Sequence, residues 1–203
     1  MYKNIFIVIV VFLFVGCGGP KSLQQQITET VGDFSEIADP GEQLVAKADA
    51  LSENGGVAVV GEGQANRMDI AKEKARLDGE IKISQALEQK VTSLRKKAVE
   101  NIGQGEADDE LNEAFTSAGK SASSGILKGV VVKERKLAKR KDGVFYAWAL
   151  VVINPKIVNS AIIDEVKKKS IKTYERIRTS QLFDELKEEE AKFDKKAKEL
   201  ETE

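Results

Sequence analysis

The chain opens on an apolar run that differs from every later segment. Residues 5 to 15 read IFIVIVVFLFV without a polar interruption, and Lys3 precedes them. Eleven residues are too few to cross a bilayer comfortably as a mature helix, but they suit the apolar part of a signal peptide. From Gly18 to about Gly56 the chain is polar. This predicts a tether, with short helices at LQQQITETVGDF and PGEQLVAKADALSEN.

Periodic apolar positions then predict a strand followed by two helices. Residues 55 to 63, GGVAVVGEG, place four apolar residues between glycines, which is typical of a strand. From about residue 65 apolar positions recur every three or four residues and predict a long helix. The residues of this stripe are Met68, Ala71, Ala75, Ile83, Leu87, Val91, Leu94, Ala98 and Ile102. After the break at GQGEADDE, a second helix is predicted through Leu111, Ala114, Phe115, Ala118 and Ala122.

The segment KGVVVKERKLAKRKDGVFYAWALVVINP predicts a β-hairpin, because Asp142-Gly143 is a strong turn signal. The second strand alternates between two apolar faces, which favours a central strand with helices on one side. One face would carry Phe145, Ala147, Ala149, Val151 and Ile153, and the other Val144, Tyr146, Trp148, Leu150 and Val152. Tyr146 and Trp148 are candidates for a ligand groove or partner surface, with ordinary packing as the alternative.

Asn154-Pro155 ends this strand and begins a final helix that is predicted to run almost to the C-terminus. Its tail, DELKEEEAKFDKKAKELETE, has sparse apolar positions among many charges. Such a pattern is typical of a solvated helix, and a coiled-coil or docking helix is the sharper interpretation. The elements together predict an α+β fold: a short antiparallel sheet of about three strands, helices packed mainly on one face, and a long C-terminal helix.

Composition excludes several classes of site. Lys plus Arg (32) nearly balance Asp plus Glu (33) in the 203 residues, so no global field favours nucleic acid. The chain has no His and one Cys, which excludes a Ser-His-Asp or Cys-His site, a cysteine metal cluster and an intrachain disulfide. We therefore assign no catalytic or metal-binding residue, and we expect a protein that is not an enzyme.

Two short motifs imitate nucleotide-binding loops. AFTSAGKS (114–121) matches a relaxed phosphate loop, but that loop follows a buried strand, and the preceding EADDELNE cannot be one. The helical spacing of Leu111, Phe115 and Ala118 would also use the N–H groups that should wrap the phosphates. GEGQAN (61–66) lacks the third glycine of a dinucleotide fingerprint and predicts a strand-to-helix turn. No nucleotide or other cofactor is predicted.

The stretch FVGC, which closes the apolar run, resembles a bacterial lipobox. The resemblance implies cleavage before Cys17 and acylation of its sulfur and new amino group, as in palmitate-bearing lipoproteins. Two or more acyl chains anchor a protein stably where one chain does not. Phe14 stands where such motifs usually carry Leu. Gly18 in the following position favours the outer membrane by analogy with that class.

The order of elements, from VAVVGEG through the helices to KDGVFYAWALVVI, resembles the Lpp-twenty family of bacterial envelope lipoproteins. Gly61, Gly63, Ala71, Ala75 and the segment 143–146 carry most of the resemblance, which covers about residues 55 to 165. It implies a small α+β module anchored in the cell envelope, with no catalytic residues to transfer. The family includes a lipoprotein of the flagellar outer-membrane ring region.

These observations predict a lipoprotein signal peptide (1–16), an acylated Cys with a polar tether (17–54), an α+β domain (55–165) and a charged C-terminal helix (166–203). The expected function is that of a lipid-anchored envelope protein with a structural or assembly role. We expect it in the outer membrane, with protein partners or self-association through the C-terminal helix. The alternative is a periplasmic or surface binding module that holds a small apolar ligand near Tyr146 and Trp148.

Overall fold

The computed structural model describes residues 28–33, 40–102 and 107–202. Within these ranges a short 3-10 turn, Leu127–Gly129, separates the third helix from the third strand. The elements in chain order are β1 (Thr28–Asp33), α1 (Pro40–Glu53), β2 (Val57–Ala65), α2 (Met68–Ile102), α3 (Ala107–Ile126), β3 (Val131–Lys139), β4 (Phe145–Ile153), α4 (Pro155–Lys169), α5 (Ile171–Arg178) and α6 (Gln181–Thr202).

The sheet has the strand order β1-β3-β4-β2 within the described ranges. The strands β2, β4 and β3 pair antiparallel, which confirms the predicted α+β fold and its antiparallel sheet. The strand β1 adds to the outer side of β3 in parallel, with Thr28 beside Glu134 and Asp33 beside Lys139. A short helix was predicted over this segment, and that prediction is wrong. The segment is extended because it pairs with a strand about a hundred residues away, which local pattern does not reveal.

The hairpin and its alternation are confirmed. The turn closes with the Gly143 N–H donating to the Arg140 carbonyl at 2.9 Å, and Gly143 has a φ of 87° that favours glycine. β4 lies between β3 and β2 and is buried on both faces. Successive side chains of β4 point to opposite faces of the sheet, so the strand contributes to two apolar clusters. One cluster contains Ala147, Ala149, Val151 and Ile153, and the other contains Trp148, Leu150 and Val152.

The helices cover the two faces unequally. Residues of α2, α3, α4 and α5 pack in the first cluster with Val151 and Ile153. The second cluster takes Leu44, Ala48 and Leu51 from α1 together with Phe193 near the end of α6. The helix predicted at residues 40–54 therefore exists, but it packs against the sheet and belongs to the folded unit. The layers are helices, sheet and helices, with the larger set on the first face.

The backbones of α2 and β2 approach so closely that only glycine fits between them. A Cβ at Gly61 would lie 2.0 Å from the Ala75 carbonyl oxygen and 2.4 Å from the Gly79 nitrogen. A Cβ at Gly63 would lie 2.2 Å from the Ala71 carbonyl oxygen. The sequence predicted a strand-to-helix turn at GEGQAN, but both glycines lie inside β2. They serve close packing of a helix on a strand.

The outer edge of β2 is closed by charged side chains of α2. Lys82 Nζ donates to the Val60 carbonyl (3.0 Å), and Lys74 Nζ donates to the Gln64 carbonyl (3.1 Å). Between them the Asp78 carboxylate accepts from the Glu62 N–H at 2.9 Å. These three residues are spaced four apart, so they follow one side of the helix along the strand. An edge strand whose backbone groups are occupied is a poor template for another strand.

The C-terminal region is three helices rather than the single predicted helix. Ser170 adopts an extended conformation, and its Oγ accepts from the Thr173 N–H at 3.2 Å, which begins α5. A second break follows at Thr179 and Ser180, before α6. Each break lets the next helix turn toward a different part of the apolar core. The capping signals were present in KKKSIKT and RTSQLF, but the continuous apolar periodicity hid them.

We expect Gly61→Ala to lower the free energy of unfolding by about 3 kcal/mol or more, because backbone atoms on both sides of the new methyl cannot move aside cheaply. Gly119→Ala is the matched control, since its Cβ would meet Val91 Cγ1 at an ordinary 3.5 Å. In a helix, that change should be neutral or stabilise by about 0.5–1 kcal/mol. Urea unfolding followed by far-UV circular dichroism measures both. Equal effects of the two substitutions would contradict the close approach.

We expect the contribution of Asp78 to stability to depend on pH. Burial acts to raise the pKa of its carboxyl, but hydrogen bonds from Lys82 and the Glu62 N–H, with the Lys82 charge, bring the pKa below its ordinary value. Because the pKa of the carboxyl is lower in the folded chain than in the unfolded chain, the ionised carboxylate stabilises the fold above about pH 4. This contribution disappears as the pH falls through the lowered pKa. Asp78→Asn should therefore cost about 1 kcal/mol or less at pH 7, since the group is partly exposed, and progressively less below pH 4. A difference between the two proteins that stays constant from pH 7 to pH 2 would refute this.

Candidate functional site

The predicted lipidation site, Cys17, and the apolar run at 5–15 lie outside the described residues. Within the described ranges, no helix combines the length and the apolar character needed to cross a membrane. Within the same ranges, no group of three or more carboxylate or cysteine side chains is arranged to hold a metal ion.

Tyr146 and Trp148 stand on the second face of β4, as their alternation predicted. Their rings are stacked, with centroids 6.2 Å apart and planes inclined by 22°. Trp148 is 8% exposed and belongs to the apolar cluster that includes Leu44 and Ala48 of α1. Tyr146 is half-buried and lies nearer the hairpin turn. The pair therefore presents mainly Tyr146, and little of the indole, to solvent.

Arg140 contacts both the ring and the hydroxyl of Tyr146. Its Nη1 donates to the Tyr146 hydroxyl oxygen at 2.9 Å, and its guanidinium carbon lies 5.9 Å from the ring centroid. A salt bridge to Asp142 holds the same guanidinium. The hydrogen bond to Tyr146 and the Asp142 carboxylate raise the pKa of Arg140. The Tyr146 ring thus contacts both Trp148 and Arg140, and its hydroxyl is already hydrogen-bonded.

The AFTSAGKS motif lies wholly inside α3, as the helical spacing predicted. Ala114 and Phe115 are 0% and 2% exposed and pack in the first cluster, whereas Lys120 is exposed. A groove of about 320 Å³ runs between α2 and α3 beside Lys120 and Arg95, with Val91 and Phe115 at its base. The helical backbone of the motif uses its N–H groups within the helix. The geometry of a phosphate-wrapping loop is therefore not formed there.

The C-terminal helix α6 is docked on the domain through a glycine notch. Leu182 and Leu186 join the first cluster, and Phe193 joins the second, so the helix spans the two. A Cβ at Gly56 would lie 2.3 Å from Phe193 Cε2, and one at Gly55 would lie 2.8 Å from Glu189 Cβ. The loop before β2 thus admits α6 because it carries no side chains there.

Ion pairs between α6 and α2 accompany this packing. Lys90 Nζ lies 2.6 Å from Glu189 Oε2, with both side chains mostly buried (18% and 24% exposed). Lys97 Nζ lies 3.6 Å from both Glu185 and Glu189. The sequence predicted a projecting or docked charged helix, and the structure shows it docked. Leu182, Leu186 and Phe193 are buried against the same chain.

The helix α2 also carries a group of exposed aliphatic residues that the sequence analysis did not predict. Ile70, Leu77 and Ile81 are 41%, 46% and 61% exposed. We call them the α2 outer stripe. Their spacings of seven and four residues place them together on one face of α2. The buried residues Ala71, Ala75 and Ile83 lie on a different face. The sequence does contain this second apolar periodicity, which could have predicted the stripe. The stronger periodicity of the buried residues on the same helix masked it.

Comparison of the chain with protein-family models, with curated proteins and with solved structures finds no match. The resemblance to the Lpp-twenty family therefore stays a prediction from the residues that carry it.

We expect Phe193→Ala to lower the free energy of unfolding by about 3–5 kcal/mol, because the ring is 4% exposed and fills the Gly56 notch. Hydrogen exchange should accelerate along α6 more than along α2. Lys192→Ala is the control, since its side chain is 57% exposed and pairs with Glu188 of the same helix at 2.8 Å. It should change stability by about 0.5 kcal/mol or less. Similar exchange along α6 in both variants would show that the helix is not held through Phe193.

Proposed function

We propose that this protein is a lipid-anchored component of the bacterial cell envelope with a structural or assembly role. One observation carries the proposal: the single Cys of the chain, Cys17, directly follows an apolar run that suits a signal peptide. An acylated Cys17 would hold the rest of the chain at the membrane surface, since multiple acyl chains anchor stably. The resemblance to the Lpp-twenty family supports the same location.

The short connection between Cys17 and the sheet supports a role close to the bilayer. The first described strand begins at Thr28, eleven peptide steps after Cys17. At no more than about 3.5 Å per residue, that connection spans at most about 39 Å. The domain would therefore stay within roughly one domain diameter of its lipid. A protein held in this way is suited to contacts made at or near the membrane.

Several ion pairs join different elements of the domain, which supports a structural role. Lys47 of α1 pairs with the buried Glu134 of β3 at 2.6 Å. Glu73 and Glu80 both pair with Arg76 on α2 and raise its pKa. The Lys47–Glu134 pair links α1 to the sheet, whereas the Arg76 pairs lie within α2 and support that helix alone. A role in assembly then depends on which surfaces remain for another molecule.

The sequence predicted that the C-terminal helix contacts a protein partner or a second copy. The docked position of α6 changes which of its residues could make that contact. Leu182, Leu186 and Phe193 of α6 are buried in the domain, so deletion of that helix would uncover the core and give nonspecific association. A partner that meets α6 in the folded chain would meet its charged outer face. The exposed fractions of the α2 outer stripe make α2 the better candidate for an apolar contact.

The alternative proposal is a binding module for a small apolar ligand near Tyr146 and Trp148. The stacked pair on the second face is the observation that favours it. Because Trp148 is the only tryptophan, its fluorescence would report a ligand directly. Saturable quenching that Tyr146→Ala abolishes would favour this module. An unchanged spectrum across a broad panel of apolar compounds would leave the structural role.

We expect cells given a labelled fatty acid to incorporate the label into the wild-type chain and not into Cys17→Ala. The wild type should fractionate with membranes, because its acyl chains partition into the bilayer. Cys17→Ser provides a second variant, which replaces the thiol with a hydroxyl of similar size, and it should also lose the label. An unlabelled wild-type chain in the soluble fraction would refute the proposal.

A further inference from the structure

The α2 outer stripe faces away from the sheet. At about 100° per residue, Ile70, Leu77 and Ile81 fall within about 40° of one another around the helix axis and extend over about 16 Å along it. The opposite side of the same helix is held against β2 through the backbones of Ala75 and Gly79. Because this contact fixes the rotation of α2, the three aliphatic side chains stay on its solvent-facing side.

The charged side chains beside the stripe have partners within the chain. They form ion pairs with one another: Arg76 with Glu73 and Glu80, and Lys82 with Asp78. The remaining cation, Lys74, donates from its Nζ to the Gln64 carbonyl at 3.1 Å. A molecule recognised by its charge would have to compete with these contacts. The stripe therefore offers mainly apolar contact.

The size of the stripe favours a lipid surface over a protein partner. A stable protein interface buries about 800 Å² and roughly 20–30 residues of each partner, and three aliphatic side chains supply only a small part of that. A bilayer sets no such minimum for a chain that is already attached to it. The attachment keeps the domain at a high effective concentration beside the lipid, so a weak apolar contact is sufficient.

The tether of the proposed lipid anchor is long enough for the stripe to reach the bilayer. The connection from Cys17 to Thr28 spans at most about 39 Å. The strands β1 and β2 are the two edges of the sheet, so three strand spacings, about 14 Å, separate them. The helix α2 on β2 adds about one helix diameter, roughly 10–12 Å. These two distances together are shorter than the extended tether.

We propose that the α2 outer stripe is a membrane-contact surface, which lies in the interfacial region of the bilayer to which Cys17 anchors the chain. A helix in this position buries its apolar face at the boundary between headgroups and acyl chains. The inference rests on the proposed lipid anchor and deepens it, because the acyl chains hold the domain while α2 orients it. The second face of the sheet, with α1, then points away from the bilayer.

The test measures the lipid contact of single labelled positions, with the acylated full chain reconstituted into phosphatidylcholine vesicles. A maleimide fluorophore on Leu77→Cys reports the stripe, and the same fluorophore on Val45→Cys is the matched control. Leu77 is 46% exposed and Val45 is 45% exposed, and α1 covers the opposite face of the sheet. A nitroxide near the top of the lipid acyl chains should quench the label at position 77 several-fold more than the label at position 45. Equal quenching at the two positions, including none at either, would overturn the inference.

Ile70→Ser and Ile81→Ser, introduced together into the chain labelled at position 77, should lower the quenching several-fold because they remove two of the three aliphatic side chains. Ile70 and Ile81 are 41% and 61% exposed, so the melting temperature should stay unchanged. Quenching that persists in this variant would contradict a contact through the stripe.

The composition of the vesicles separates the bilayer from other partners. At fewer than one chain per vesicle the quenching should be unchanged, and its loss on such dilution would assign the stripe to a second copy instead. Replacing part of the phosphatidylcholine with anionic phosphatidylglycerol should change the quenching little, because the charges beside the stripe are paired. A contact that requires anionic lipid would refute the apolar mode of binding.

Reaction of the wild-type chain with the same maleimide reports the anchor separately. An acylated Cys17 does not react, and equal quenching at positions 77 and 45 in such a chain would overturn the stripe alone. A free Cys17 thiol would refute the lipid anchor and, with it, this inference.

Discussion

The close approach of α2 to β2 is the constraint on which the rest of the structure depends. Gly61 and Gly63 remove the side chains from one face of the strand, and Ala71, Ala75 and Gly79 remove bulk from the facing helix. The two backbones then meet directly, with carbonyl oxygens of the helix where strand side chains would stand. Neither the rotation of α2 nor its position along β2 can change without a backbone collision, so each face of the helix has an assigned environment.

Three environments follow from this one contact. The small residues of α2 face the sheet. Because the helix lies so near the strand, the side chains of Lys74, Asp78 and Lys82 reach the outer edge of β2. The remaining side of the helix carries Ile70, Leu77 and Ile81, and these side chains stay exposed to solvent. A helix fixed in rotation can both close a sheet edge and present a defined aliphatic surface, which suits a protein proposed to assemble through specific contacts.

The C-terminal helices tie the two faces of the sheet together. The break at Ser170 and the later break before α6 let Leu182 and Leu186 join the first cluster while Phe193 joins the second. The absence of side chains at Gly55 and Gly56 makes room for this crossing. The charged tail therefore acts as part of the domain, and its ion pairs with Lys90 and Lys97 are internal contacts.

Local periodicity was sufficient for the elements whose character is written in neighbouring residues. The alternation of β4, the long repeat of α2, the turn at Gly143 and the helical form of AFTSAGKS all follow from side chains that face the same way within a few residues. The N-terminal apolar run and Cys17 are likewise a property of sequence alone. Only the tertiary structure decided that Thr28–Asp33 pairs with β3, that α1 covers the second face, and that α6 docks. Those outcomes depend on contacts between residues far apart in the chain, where the free energy of burial and pairing outweighs local preference.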